Sequence, residues 1–133
     1  MPSQMKENTH DLDFQIRFYE QILQKHPDFV DVLIALGDAY TKRGLYRKGL
    51  EIDKKLVRLK RRDPILYYNL ACSHSLLGNI KNALKSLEKA IHLGYKDFGY
   101  INKDPDLENL RKDERYFQLL NSLKNKSCKK LNR

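Results

Sequence analysis

Apolar residues recur along the chain at intervals of three and four, which is the spacing of one buried face of an α-helix. In the segment from residue 30 to 42 these positions are Leu33, Leu36, Gly37 and Tyr40, and the pattern stops at Gly44. Three further helices are predicted, over residues 46–60, 67–77 and 80–93. No run alternates apolar and polar residues as a half-buried strand does. The pattern therefore predicts an all-α fold.

The helices repeat with a period of 34 residues. Matching residues one period apart include Leu36 and Leu70, Gly44 and Gly78, Gly49 and Ala83, and Leu59 and Leu93. A fixed period indicates helix pairs that bury their apolar faces against neighbouring pairs. The small residues Gly37, Ala71, Gly49 and Ala83 are predicted to lie where the helices of a pair cross, because small side chains let two backbones approach closely.

The length of 133 residues suits one domain. We expect five consecutive parts: an incomplete earlier unit (residues 11–26), a first repeat (30–62), a second repeat (64–96), capping helices (104–124) and a basic tail (125–133). Asp63 is placed to cap the helix that Pro64 opens. Pro105 after Asp104 predicts another helix start, and the apolar residues that follow are expected to cover the end of the array.

The repeated residues resemble the tetratricopeptide repeat, over about residues 12 to 94. The resemblance rests on Leu33, Leu36, Gly37, Tyr40 and Gly49 in the first unit and on Tyr67, Leu70, Ala71, Ala83 and Ala90 in the second. It implies antiparallel helix pairs stacked as a short right-handed superhelix. The chain departs from the family pattern at Asp53, where an aromatic residue is usual, and at Leu56, where alanine is usual. It departs also at His74, which replaces the tyrosine found one period earlier at Tyr40.

The resemblance also implies a concave groove lined by the first helix of each pair, which makes the chain a non-enzymatic adaptor for a protein segment. The predicted groove residues are Asp31, Ile34, Asp38, Thr41, Ile65, Tyr68, Cys72 and Ser75. Their mixture favours a partner with an apolar anchor and a basic residue, and Tyr68 is expected to contribute most to binding because it is aromatic. Alternatively, the C-terminal helices fold back and fill the groove. The residues that bind chaperone tails in this family are missing, so a carboxylate clamp is rejected.

No catalytic or cofactor chemistry is indicated. The glycines form no phosphate-binding loop, and the four histidines are too dispersed for metal ligation. Cys72 and His74 point to different faces of a helix, and His74 is interpreted as a core residue. We expect no cofactor and no metal. The sequence has no membrane-spanning run and no apolar leader, which favours the cytoplasm.

The net charge of +9 keeps a polyanionic partner in consideration. The candidate contacts are Lys54, Lys55, Arg58, Arg61 and Arg62, with Lys60 beside them. Together with the basic tail they support an alternative function, a nucleic-acid-associated protein, although no aromatic residue is interleaved with them to stack on bases. Self-association through exposed apolar edges is a third alternative.

Overall fold

The computed structural model describes the backbone of residues 2–131 and the side chains of residues 9–125. The helix α1 spans Pro2–Lys25, α2 (Val30–Lys42) and α3 (Tyr46–Leu59) form one pair, and α4 (Pro64–Leu76) and α5 (Ile80–His92) form the next. Each of the first four helices packs against the helix that follows it in the chain. The predicted all-α array of helix pairs is confirmed.

The C-terminal part continues with α6 (Phe98–Ile101), a 3-10 turn (Pro105–Leu107), α7 (Glu108–Arg111) and α8 (Glu114–Leu131). We call residues 98–111 the cap. The 3-10 turn and α7 pack on α4, and α7 and α8 pack on α5. The cap and α8 therefore cover the last helix pair.

The turns follow the predicted backbone chemistry. Gly44 and Gly78 have φ values of 84° and 76°, in the left-handed region that favours glycine after a helix. The Asp63 side chain accepts a hydrogen bond of 2.9 Å from the backbone N–H of Ile65, and Pro64 occupies the first turn of α4. The helix limits within the two pairs are thus set by glycine and by an aspartate–proline start.

The helices α2 and α3 cross at two glycines, as predicted. A Cβ atom on Gly37 would lie 3.2 Å from Cγ2 of Ile52, and one on Gly49 would lie 3.1 Å from Oγ1 of Thr41. These distances are shorter than most contacts of a Cβ atom, so an alanine at either position requires Ile52 or Thr41 to shift by a few tenths of an ångström. Glycine is kept there despite a helix propensity about 1 kcal/mol below that of alanine.

The buried apolar residues fall into three clusters along the array. One lies between α1 and α2 and contains Ile16, Leu36, Ala39 and Tyr40. A second, of Leu33, Leu56 and Leu66, joins α2, α3 and α4. The largest joins α4, α5, the cap and α8, and consists of Tyr68, Ala71, Cys72, Ala83, Leu87, Ala90, Tyr95, Ile101, Leu107, Leu110 and Tyr116.

Hydrogen bonds also attach the cap to the repeat. The hydroxyl of Ser75 accepts one from the backbone N–H of Leu110 at 3.1 Å, and the Ser75 carbonyl accepts one from Nδ2 of Asn109 at 3.0 Å. Within the cap, Nη1 of Arg111 donates to the carbonyl oxygen of Asp104 at 2.6 Å. Buried polar groups are thereby satisfied at the point where the cap meets α4.

Three limits differ from the sequence-based expectation. The α1 helix begins at Pro2, before the predicted residue 11, and α8 continues to Leu131 through most of the segment predicted as a basic tail. No proline or glycine occurs between residues 3 and 25 or between residues 114 and 131, so nothing in the sequence stops either helix. The short helix α6 was not predicted. The tail side chains from residue 126 onward, and residues 132 and 133, lie outside the described part.

Candidate binding groove

An open groove of about 460 Å³ lies between α2, α4 and the cap. Its lining comes from α2, α3, α4 and the cap, and five of its residues are aspartates. The lining residues are Asp31, Ile34, Ala35, Gly37, Asp38, Thr41, Asp53, Tyr68, Asn69, Cys72, Ser73, Tyr100, Asp104 and Asp106. The volume of the groove lies within the range of about 300–1,000 Å³ that is usual for binding pockets.

Six of the eight residues predicted for the groove line it: Asp31, Ile34, Asp38, Thr41, Tyr68 and Cys72. Ile65 is 54% exposed but lies outside the lining, nearer the start of α4. Ser75 is fully buried under α7, where its hydroxyl is bonded to the backbone of Leu110. Its assignment to an accessible groove surface is therefore wrong, because the cap covers that end of the stripe.

Tyr68 is part of the core instead of an exposed anchor. Only 5% of it is exposed, and its ring stacks on Tyr95 with centroids 4.3 Å apart and planes inclined by 4°. Its hydroxyl donates a hydrogen bond of 2.5 Å to Oδ2 of Asp104. Burial, followed by this bond, raises the pKa of the phenol above its ordinary value. The cap thus packs on Tyr68 of α4, whereas Asp31, Ile34 and Asp38 of α2 remain exposed.

An exposed aromatic residue of the cap lines the groove. Tyr100 is 43% exposed, lines the groove and lies with its ring centroid 6.4 Å from that of Tyr68. On the opposite wall, Ile34 is 39% exposed. The apolar contacts available to a partner are therefore Tyr100 and Ile34. Sequence analysis missed Tyr100 because α6, which carries it, has no repeat counterpart.

Asp104 organises the cap side of the groove. It is only 4% exposed. Its Oδ1 accepts from the backbone N–H of Asp106 at 3.0 Å, which caps the 3-10 turn, while its Oδ2 accepts from Tyr68 and lies 3.8 Å from the Cys72 sulfur. The sequence predicts a helix start at Asp104 and Pro105, and the structure adds the contact of Asp104 with α4. A single aspartate thereby joins the turn to the repeat.

The acidic groups of the groove are close enough to interact. Burial, and then the negative charges of Asp104 and Asp38, raise the pKa of Asp106. Asp38 is exposed at the rim and pairs with Lys42 at 2.9 Å, one turn further along α2. Burial is the larger cause of the raised pKa of Asp106, and the two neighbouring carboxylates add to it.

Asp53 lies at the base of the groove and connects the two repeats. Its Oδ2 accepts a hydrogen bond of 2.5 Å from the hydroxyl of Ser73, between α3 and α4, and Asp53 is 8% exposed. Burial raises the pKa of Asp53 to about 6, although the bond from Ser73 acts in the opposite direction. The position where the family usually has an aromatic residue is thus filled by a polar bridge between repeats.

The residues predicted to contact a polyanion separate into two groups. Lys54 pairs with Glu51 at 3.6 Å, and Lys55 pairs with Asp28 at 3.3 Å. The side chains of Arg58, Arg61 and Arg62 instead line a different depression, together with Lys89 and His92 of α5. The basic residues that the sequence suggested as one face therefore form two separate sets, the paired lysines and the arginines of the depression.

The buried titratable groups of α4 are enclosed by packing. Burial, and then the charge of Asp104, raise the pKa of the Cys72 thiol, which opposes formation of a nucleophilic thiolate. His74 is a core residue, as interpreted from the sequence, and burial followed by the charge of Lys54 lowers its pKa.

Among the described side chains, no three potential ligands are placed to hold a metal ion. Within residues 2–131, every helix is too short or too polar to cross a membrane.

Comparison with known proteins agrees with the repeat architecture. A sequence profile described as "Tetratricopeptide repeat" matches residues 65–93, which correspond to α4 and α5. The chain is 35% identical over 104 residues to a protein of Arabidopsis thaliana whose name describes it as chloroplastic. That similarity covers 76% of the present chain and 30% of the relative, so the chain spans less than a third of the relative's length. With its 34-residue period, its paired helices and the profile match over residues 65–93, the chain is a tetratricopeptide repeat protein.

Proposed function

We propose that the chain is a non-enzymatic adaptor that holds a short basic segment of another protein in the groove between α2 and the cap. The observation that supports this most strongly is the presence of five aspartates in one groove of a chain whose net charge is +9. Charge complementarity of this kind selects partners and speeds their association. The repeat family supports the general role in protein interaction.

The groove also suggests how the segment is held. Ile34 and Tyr100 offer partly exposed apolar surface on the two walls, and Asp31, Asp38 and Asp106 surround it with carboxylates. An apolar side chain of the partner would lie between Ile34 and Tyr100, while a neighbouring lysine or arginine would reach the carboxylates. Aromatic and charged residues in such an arrangement commonly dominate binding energy.

We further propose that the adaptor works in a reducing compartment such as the cytoplasm. Cys72 carries a free thiol that is buried against the cap. Cysteines of this kind are typical of proteins that do not depend on disulfides.

The test is binding of a peptide library to the full chain, in which basic, neutral and acidic residues flank one apolar position. We expect the selected peptides to be basic. In the double variant Asp38→Asn with Asp106→Asn, their affinity should fall at least about threefold, because each lost ion pair at an exposed or half-buried carboxylate contributes about 0.3–1 kcal/mol.

The matched control removes two carboxylates elsewhere, with Glu88→Gln and Glu114→Gln, which are exposed and lie outside the groove. This control should bind the selected peptides as the unmodified chain does. Selection of acidic or neutral peptides, or an equal loss of affinity in the control variant, would contradict the proposed groove.

A further inference from the structure

A second depression, of about 640 Å³, lies where the C-terminal ends of α3 and α5 meet the start of α4. Its lining consists of five basic and three apolar or aromatic residues: Arg58, Arg61, Arg62, Lys89, His92, Val57, Tyr67 and Leu93. We call it the basic pocket. It shares no residue with the acidic groove, so it is a separate surface of the molecule.

The charges in the basic pocket are not neutralised by the surrounding protein. Within the part of the chain whose side chains are described, Arg58, Arg61, Arg62 and Lys89 form no ion pair. Lys89 instead has its ammonium 6.0 Å from the centroid of the Tyr67 ring. Several like charges that converge without an acid repel one another, and a bound anion would relieve this repulsion.

Helix ends explain only part of this arrangement. Arg58 lies in the last turn of α3, and Lys89 and His92 lie in the last turn of α5, where the helix dipole favours positive charge. Arg61 and Arg62 follow the end of α3 and lie in the turn before α4. Their convergence with Lys89 brings together side chains from two helix pairs, which no single helix end requires.

The chemistry of the pocket fits a phosphoryl group on an apolar stem. Guanidinium groups bind phosphate through paired hydrogen bonds, and a phosphate carries more negative charge than a carboxylate. Val57, Tyr67 and Leu93 give the same pocket an apolar part that a side-chain stem can contact. We propose that the basic pocket binds a phosphorylated side chain of a partner protein.

A nucleic acid fits this surface less well. Lys54 and Lys55, which would extend the charge along α3, are paired with Glu51 and Asp28. The lysine above the Tyr67 ring occupies a position that a stacked base would need. The charge is therefore concentrated at one point instead of following a strand of successive phosphates.

The experiment measures binding of three probes to the full chain by fluorescence anisotropy: a labelled phosphotyrosine peptide, its unphosphorylated form and a single-stranded DNA of equal length. The phosphopeptide should bind at least about tenfold more tightly than the unphosphorylated peptide, as expected for one paired charge-assisted interaction. Millimolar inorganic phosphate should compete with it.

The variant Arg58→Gln with Arg61→Gln should abolish the preference for the phosphorylated peptide. The matched control, Lys81→Gln with Lys85→Gln, removes the same charge from positions of α5 outside the pocket and should retain that preference. If the glutamine variant unfolds, Arg58→Lys with Arg61→Lys keeps the charge and should still weaken phosphopeptide binding, because lysine does not form the paired contact.

Three results would overturn the proposal. Equal affinity for the two peptides would show that the arginines serve only the helix ends. DNA binding as tight as phosphopeptide binding would assign the pocket to nucleic acid, and an equal loss in the Lys81 and Lys85 variant would reduce the effect to net charge. Because the acidic groove shares none of these residues, the outcome is independent of the function proposed above.

Discussion

The hydroxyl of Tyr68 in α4 donates a 2.5 Å hydrogen bond to the carboxylate of Asp104 at the start of the 3-10 turn. This contact joins the second repeat to the cap, and both residues are at least nine-tenths buried. The residue expected from the sequence to hold a partner is therefore used to hold the protein's own C-terminal part. Asp104 and Asp106, at this same 3-10 turn, also line the groove that remains open.

Loss of the Tyr68 side chain should destabilise the protein as much as loss of a core leucine. Tyr68→Ala is expected to lower the free energy of unfolding by about 3–5 kcal/mol, and Leu70→Ala by about 2–5 kcal/mol, because both leave cavities. Tyr68→Phe should cost about 1–3 kcal/mol, since it removes a bond from a buried acceptor. Urea unfolding measures these values. Tyr100→Ala, at an exposed position, should change stability by less than about 0.5 kcal/mol, and a larger loss there would contradict the assigned exposures.

Removal of the cap should expose the largest apolar cluster. A chain that ends at Asp97 lacks Ile101, Leu107, Leu110 and Tyr116, each of which is at most 2% exposed. We expect it to aggregate or to lose more than about 3 kcal/mol of stability, because buried apolar area contributes about 25 cal/mol per Å². Light scattering and thermal unfolding are the measurements. A chain that ends at Asn125 keeps these residues and should scatter light and unfold as the full chain does. Equal behaviour of the two truncations would show that the cap is dispensable.

Asp53 should make stability depend on pH. Its pKa is raised from 3.8 to about 6, chiefly by burial, so the folded state binds this proton more tightly than the unfolded state. The resulting stabilisation is complete below about pH 4 and is lost as the pH rises through about 6, by about 1–3 kcal/mol. The difference in unfolding free energy between the unmodified chain and Asp53→Asn should show this loss. Parallel pH profiles for the two proteins would exclude the buried carboxyl as its source.

The turn glycines should tolerate substitution less well than a helical glycine. Gly44→Ala and Gly78→Ala force alanine into positive φ and should each cost about 1–2 kcal/mol, although nothing lies within 4 Å of the added atom. Gly99→Ala in α6, where the nearest atom would be Oδ1 of Asp97 at 3.8 Å, should be neutral or stabilise by up to about 1 kcal/mol. Thermal unfolding compares the three, and an equal cost at all three positions would rule out backbone strain as the cause.

The repeat architecture could be predicted because its determinants are local. The left-handed glycines, the aspartate–proline start at residues 63 and 64 and the apolar spacing act within one helix or one turn. The same reasoning placed Gly37 and Gly49 at a helix crossing. The lengths of α1 and α8 were underestimated, because their polar residues give little apolar periodicity even though no proline or glycine interrupts them.

The groove could be predicted only in part, because its α4 side depends on contacts with a segment outside the repeat. Helix position alone placed Asp31, Ile34 and Asp38 along its wall. It gave no sign that Asp104 would cover Tyr68 or that Tyr100 would stand beside it, since those contacts join α4 to a part of the chain about one full repeat away. The sequence did predict a helix start at Asp104. An aspartate that only starts a helix and one that also lines a groove have the same neighbours in the sequence, so the second role could not be seen.

The short reach of these contacts also bears on how quickly the chain folds. The hydrogen bonds that join α1 to α2, α3 to α4 and α4 to the cap connect residues 20 to 36 positions apart. Closing loops of this length costs little entropy, and helical proteins with such local topology fold in microseconds to milliseconds. The bond between Tyr68 and Asp104 spans 36 positions, the largest separation in this set. We expect the cap to form its contacts late in folding, because its hydrogen bonds span 34 to 36 positions, the longest separations in this set. Tyr68→Phe should then accelerate unfolding more than it slows folding.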